Sequence, residues 1–173
     1  MENRLILTIA RNGIVAAMYC VVTVLIPGLS YMGVQVRFAE LLILLCFFRK
    51  DYSIGLILGC FLANLFSPLG WVDMVFGTLA TAISCLAICF MKNLFFSTLI
   101  PAVANGIIVG AEIVILFPAG GNPWVEFLIN AGLVALGEVI AISIIGYIFF
   151  MLLGKREGFQ NVIGANQNLD FKW

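Results

Sequence analysis

Long apolar runs separated by short polar breaks mark almost the whole chain. The first run covers residues 5–26 and stops at Pro27 and Gly28. A second, counted from Val34, continues to Phe48; it carries Arg37 and Glu40 near its start and ends at RKD, 49–51. Further runs cover 53–66, 72–91, 94–117 and 124–153, broken by SPLG (67–70), Lys92, Pro118 and KRE (155–157). A membrane-crossing helix needs about 20 mainly apolar residues, within a range of about 17–25. The pattern predicts an all-α integral membrane protein with six transmembrane helices in one domain, the second and third runs being shortest. Residues 155–173 are expected to form a loose C-terminal tail. The opening MENRLILTIARNG leads into an uninterrupted apolar stretch with no small-residue cleavage site before Pro27, so it reads as a retained helix.

Charge placement sets an orientation. With six spans and a cytoplasmic N-terminus, Arg4, Arg11, Arg49, Lys50, Lys92, Lys155, Arg156 and Lys172 all fall on the cytoplasmic side, against Arg37 alone outside. Basic residues concentrate in cytoplasmic loops, which predicts that both termini are cytoplasmic in a multi-pass cell-membrane protein.

Composition narrows the function. Of 173 residues, 63% are hydrophobic and 10% charged; a soluble domain carries about 25% charged residues and could not be covered by so few. Nine basic and nine acidic residues give no net charge and no indication of a nucleic-acid partner. The chain has no histidine, the usual metal ligand and general base. Cys20, Cys46, Cys60, Cys85 and Cys89 all lie in apolar runs, as small hydrophobes do. There is no Walker A loop and no G-x-S-x-G or H-E-x-x-H motif. Neither an enzyme nor a cofactor is expected, and any substrate pocket in a chain without an ATP-binding loop implies a partner to supply energy.

The polar residues inside the apolar runs carry the candidate chemistry. A charge at the bilayer centre costs about 2.5–3.5 kcal/mol on insertion scales. Arg37 and Glu40 lie at the outer end of the second helix, three residues apart on one face. Asn64 and Ser67 end the third helix on the same side, Trp71 and Asp73 begin the fourth, and Trp124, Glu126 and Asn130 open the sixth. Asn105, Glu112 and Glu138 are deeper. Their convergence predicts a polar pocket open to the outside. Plainer readings stand beside it: Arg37 and Glu40 as an ion pair or snorkelling to headgroups, Trp71, Trp124 and Tyr31 as interfacial belt residues, and Asn64 as a helix cap. Gly13 and Ala17, extended by Ala10 and Ala16, give the first helix a small-residue surface suited to another helix, from a partner or from this chain.

The stretches NGIVAAMYCVVTVLIP, VQVRFAELLILL, GCFLANLFSPLGWVDMVFGTLAT and GEVI resemble the QueT family, over about residues 10–153. The resemblance implies a substrate-binding S-component of an energy-coupling-factor (ECF) transporter for queuosine precursors. The implied substrate is a 7-deazaguanine base bearing a cyano or aminomethyl group; the implied partners are a transmembrane coupling subunit (EcfT) and two cytoplasmic ATPases. An S-component for another vitamin, such as riboflavin or biotin, is the alternative. The AxxxA signature of S-component helix one appears here as Gly13-xxx-Ala17. A carboxylate can accept from the N1–H and exocyclic amine of such a base while an arginine or amide meets O6, and an aromatic ring stacks on it. Glu40, Arg37, Asn64, Asp73, Asn105 and Glu138 are the candidate edge contacts, and Trp71, Trp124 and Tyr31 the stacking candidates.

Overall fold

The computed structural model describes residues 2–26 and 36–165, without the side chains of residues 2–4. Tyr31 lies outside the described residues. The described chain is helical, with no strand. Four helices are long and apolar enough to cross a membrane. They are α1 (Glu2–Leu25), α4 (Trp71–Ile88), α5 (Leu94–Leu116) and α6 (Pro123–Leu153). Two shorter apolar helices, α2 (Phe38–Phe48) and α3 (Tyr52–Asn64), complete the six apolar elements of the sequence pattern.

The neighbour order differs from the chain order. α1 packs chiefly on α3, α3 on α4, α4 on α5, and α5 on the first half of α6. α2 sits among them, touching α1, α3, α4, α5 and α6. That location explains its shortness. Ala39, Glu40, Ile43 and Leu44 are fully buried, so α2 is enclosed by protein, where tight, irregular backbone is tolerated at membrane depth. Its first seven residues, Phe38–Leu44, form a 3₁₀ helix. It packs on Val139–Gly146 of α6, which widens into a π-helix.

Small residues let the helices approach. A Cβ on Gly55 would lie 2.6 Å from the Asn12 carbonyl, and one on Gly59 2.7 Å from that of Ala16. On the other side of the bundle, a Cβ on Gly110 would sit 2.8 Å from Ala131 Cα. Both are glycine pairs spaced by four, Gly55-xxx-Gly59 and Gly106-xxx-Gly110. Without an apolar driving force in lipid, close backbone contact is what holds helices together.

Of the segment 155–173, expected to be a loose tail, residues 166–173 lie outside the described residues. Glu157–Ile163 forms a short helix, α7. The Tyr52 hydroxyl donates to the Ile163 carbonyl at 2.8 Å, Arg49 Nη1 donates to that of Gly164 at 3.3 Å, and Phe159 meets Phe48 and Phe150 edge-on. Its few apolar side chains are placed to cover the end of the bundle core.

Candidate functional site

The buried ionisable groups gather where α2, α4, α5 and α6 meet. Among the described residues the buried charged side chains are Arg37, Glu40, Asp73, Glu112 and Glu138, each at most 2% exposed. Local structure aims them inward. The segment after Asn64 turns sharply: Ser67 Oγ accepts from the Leu69 amide, and Gly70 takes φ 62°, a conformation suited to glycine. α4 then starts at Trp71, which puts Asp73 in its first turn with the positive end of the helix dipole.

Arg37 Nη2 contacts both Asp73 carboxylate oxygens, at 3.1 and 3.3 Å. Asn64 Nδ2 donates to the Asp73 carbonyl at 3.0 Å. Gly77, one turn further along α4, provides the room. A Cβ there would stand 2.6 Å from Asp73 Oδ1 and 2.9 Å from Asn64 Nδ2.

Arg37 stands at the start of the 3₁₀ segment in extended backbone (φ −84°, ψ 94°), its carbonyl accepting from the Glu40 amide at 2.9 Å, while its side chain pairs with Asp73 rather than with the Glu40 carboxylate. Glu40 Oε1 instead accepts from the Tyr19 hydroxyl on α1 and from Thr81 Oγ1 at 3.1 Å on α4. Deeper in the bundle, Asn105 Nδ2 donates to Glu138 Oε1 at 2.7 Å, tying α5 to α6 just before the π-helical stretch.

Several buried polar atoms are left without a partner. They are Glu40 Oε2, Asn64 Oδ1, Thr78 Oγ1, Glu138 Oε2 and both carboxylate oxygens of Glu112. Buried polar groups are overwhelmingly hydrogen-bonded, so a cluster of orphans in one region calls for a missing partner. All but the Thr78 hydroxyl belong to carboxyl or amide oxygens, so the region is rich in acceptors.

Six of the nine candidate contact residues (Arg37, Glu40, Asn64, Asp73, Asn105 and Glu138) are buried in this region. Trp71 and Trp124 are not: they are 72% and 76% exposed at the starts of α4 and α6. Glu126 closes its own loop, accepting from the Ala119 and Gly121 amides at 3.0 and 2.6 Å. The groups converge, but neither described cavity reaches them. One of about 760 Å³ lies between Phe48, Lys50, Phe90 and Lys92, and one of about 460 Å³ is an apolar groove between α4 and α5. Glu112, one of the deeper polar residues of the sequence pattern, lies in the cluster, and Tyr19 and Thr81 join it unannounced by that pattern. Tyr19 and Thr81 look like ordinary helix residues in sequence, while the depth of Glu112 in its apolar run was a usable signal.

On α1, Ala10, Gly13 and Ala17 are exposed, and nothing lies within 4 Å of a Cβ built on Gly13. Ala16 faces the other way, against Gly59. The small-residue surface therefore divides into an internal face and an outward one.

Fold and site together define a multi-pass helical membrane protein whose polar groups are concentrated in its interior. Residues 9–155 match the QueT transporter family, and the chain belongs to that family. The Queuosine precursor transporter QueT of Lactococcus lactis subsp. cremoris (strain MG1363) is 42% identical over 81 residues. That alignment spans 45% of this chain and 45% of the relative, less than half of either. No solved structure matches the chain.

Proposed function

We propose that the chain is the membrane-embedded substrate-binding component of an ECF importer for a queuosine precursor, a 7-deazaguanine base with a cyano or aminomethyl group. In this reading all six apolar helices belong to the membrane domain, both termini are cytoplasmic, and the polar cluster is loaded from outside. A coupling subunit (EcfT) and two ATPases drive release inward.

The observation that carries the reading is the set of unpaired buried acceptors. A deazaguanine offers several N–H donors along its edge and ring. Glu40 and Glu138 each have one oxygen fixed by protein donors and the other unpaired, as a carboxylate oriented to read such an edge would. Arg37 and the Asn64 amide stand beside them for O6. The side chains close on one another in this structure, so the ring enters as they part. Trp71, at the start of the helix that carries Asp73, is the proposed stacking group at the entrance, with Trp124 and Tyr31 as further aromatic contacts. The orientation is supported by the clustering of Arg11, Arg49 and the tail at one end of the bundle: a Cβ on Gly164 would meet the guanidinium groups of both arginines. The exposed face of Ala10, Gly13 and Ala17 is the proposed seat of the coupling subunit.

Calorimetry on the purified chain in nanodiscs tests this. Cyano- or aminomethyl-deazaguanine should bind saturably, and Glu40→Gln should abolish that binding while the variant still melts cooperatively. Binding of riboflavin or biotin instead of either base would overturn the substrate assignment.

A further inference from the structure

The cluster holds more acid than its own base can balance. Four carboxyl groups, Glu40, Asp73, Glu112 and Glu138, share the buried region with one guanidinium, Arg37. The acids are not equivalent. Asp73 is paired with Arg37, Glu40 is held by Tyr19 and Thr81, and Glu138 is held by Asn105. Glu112 is only 2% exposed, and neither of its oxygens has a partner. It lies seven residues beyond Asn105 on α5, so the two share a face about 10 Å apart along the axis. Arg37 and Asp73 are within electrostatic reach of its carboxyl group.

A buried carboxyl group with no hydrogen bond to either oxygen is strongly disfavoured, and what satisfies it best is a charged donor in direct contact. The three other acids already have the donors that orient them. We infer that Glu112 is the subsite for a positively charged substituent of the substrate, and that the chain selects an aminomethyl base over its uncharged cyano counterpart. This rests on the deazaguanine reading above and adds to it the identity of the 7-substituent. The ammonium supplies up to three N–H donors and a full charge to the two empty oxygens of Glu112. A nitrile offers no donor and would leave both oxygens desolvated and unpaired. A site built to bond a charged donor therefore rejects an analogue that lacks it.

The experiment compares 7-aminomethyl-7-deazaguanine with 7-cyano-7-deazaguanine by calorimetry on the full chain in nanodiscs. The wild-type protein should bind the aminomethyl base at least tenfold more tightly, because a charge-assisted contact is being compared with none. Glu112→Gln should shrink that ratio tenfold or more, whereas Glu112→Asp, which keeps the charge, should preserve most of it. Equal wild-type affinities, or tighter binding of the cyano base, would overturn the charge selection and leave the deazaguanine reading intact. An unchanged ratio in a folded Glu112→Gln variant would overturn the assignment to Glu112. Failure of both bases to bind the wild-type chain would remove the substrate class and this inference with it. The wild-type comparison stands even if Glu112→Gln does not fold.

Discussion

Removing either member of the Arg37–Asp73 pair alone should be costly, and removing both should cost clearly less than the sum of the two single losses. The side chains are 3% and 1% exposed, and one guanidinium nitrogen reaches both carboxylate oxygens within 3.3 Å. Deleting one partner of such a buried pair costs about 3–5 kcal/mol, because the other charge stays in a dry interior. Asp73→Ala and Arg37→Met are each expected to lose that much. For a chain of this size 1 kcal/mol moves the melting temperature by about 2–4 °C, so each single variant should melt about 6–20 °C lower. The double variant carries no stranded charge and should recover about 1–3 kcal/mol of the summed loss. The protein contains its own reporter. Cys46, Cys60 and Cys85 are buried free thiols, so a thiol-reactive dye added to the detergent-purified protein reads unfolding directly. Additive losses in the double variant, or an Asp73→Ala protein that melts with the wild type, would refute the claim that the two charges depend on each other.

The remaining predictions use the same assays. Gly77→Ala gains about 0.5–1 kcal/mol of helix propensity, but its methyl would stand 2.6 Å from Asp73 Oδ1; it should melt lower and lose substrate affinity, and a more stable variant with full binding would contradict the cradle. Tyr52→Phe removes the hydroxyl that holds the Ile163 carbonyl and should cost about 1 kcal/mol, with faster proteolysis of the segment after 154. Gly13→Leu meets open space, so the isolated chain should melt as the wild type or slightly higher, while co-purification with a coupling subunit should be lost; retained association would move the interface elsewhere.

The apolar runs and their breaks were readable in the sequence because lipid and a buried core impose the same demand for long unbroken stretches. What α2 does was not readable. An 11-residue apolar helix and a membrane span look alike until its neighbours are known, and its enclosure depends on glycine contacts such as Gly55 on Asn12, which are set by partners distant in sequence. The same limit governed the charges. Arg37 and Glu40 are three residues apart, yet the partners that matter, Asp73, Tyr19 and Thr81, come from two other helices. Burial told which residues were costly, and spacing alone could not tell with whom they share that cost. Trp71 and Trp124 show the converse: their positions beside polar residues suggested the cluster, and their side chains are exposed rather than buried in it.

The central position of α2 also bears on how the protein is made. Its ionisable groups find Tyr19 only on the helix synthesised before it, and Asp73 and Thr81 only on one synthesised about thirty to forty residues later. Until α4 emerges from the ribosome, Arg37 lacks its carboxylate and this short segment has little reason to leave the membrane surface. Biogenesis should therefore run out of chain order, with α2 drawn into place late, as the last piece of a ring its neighbours have begun to close.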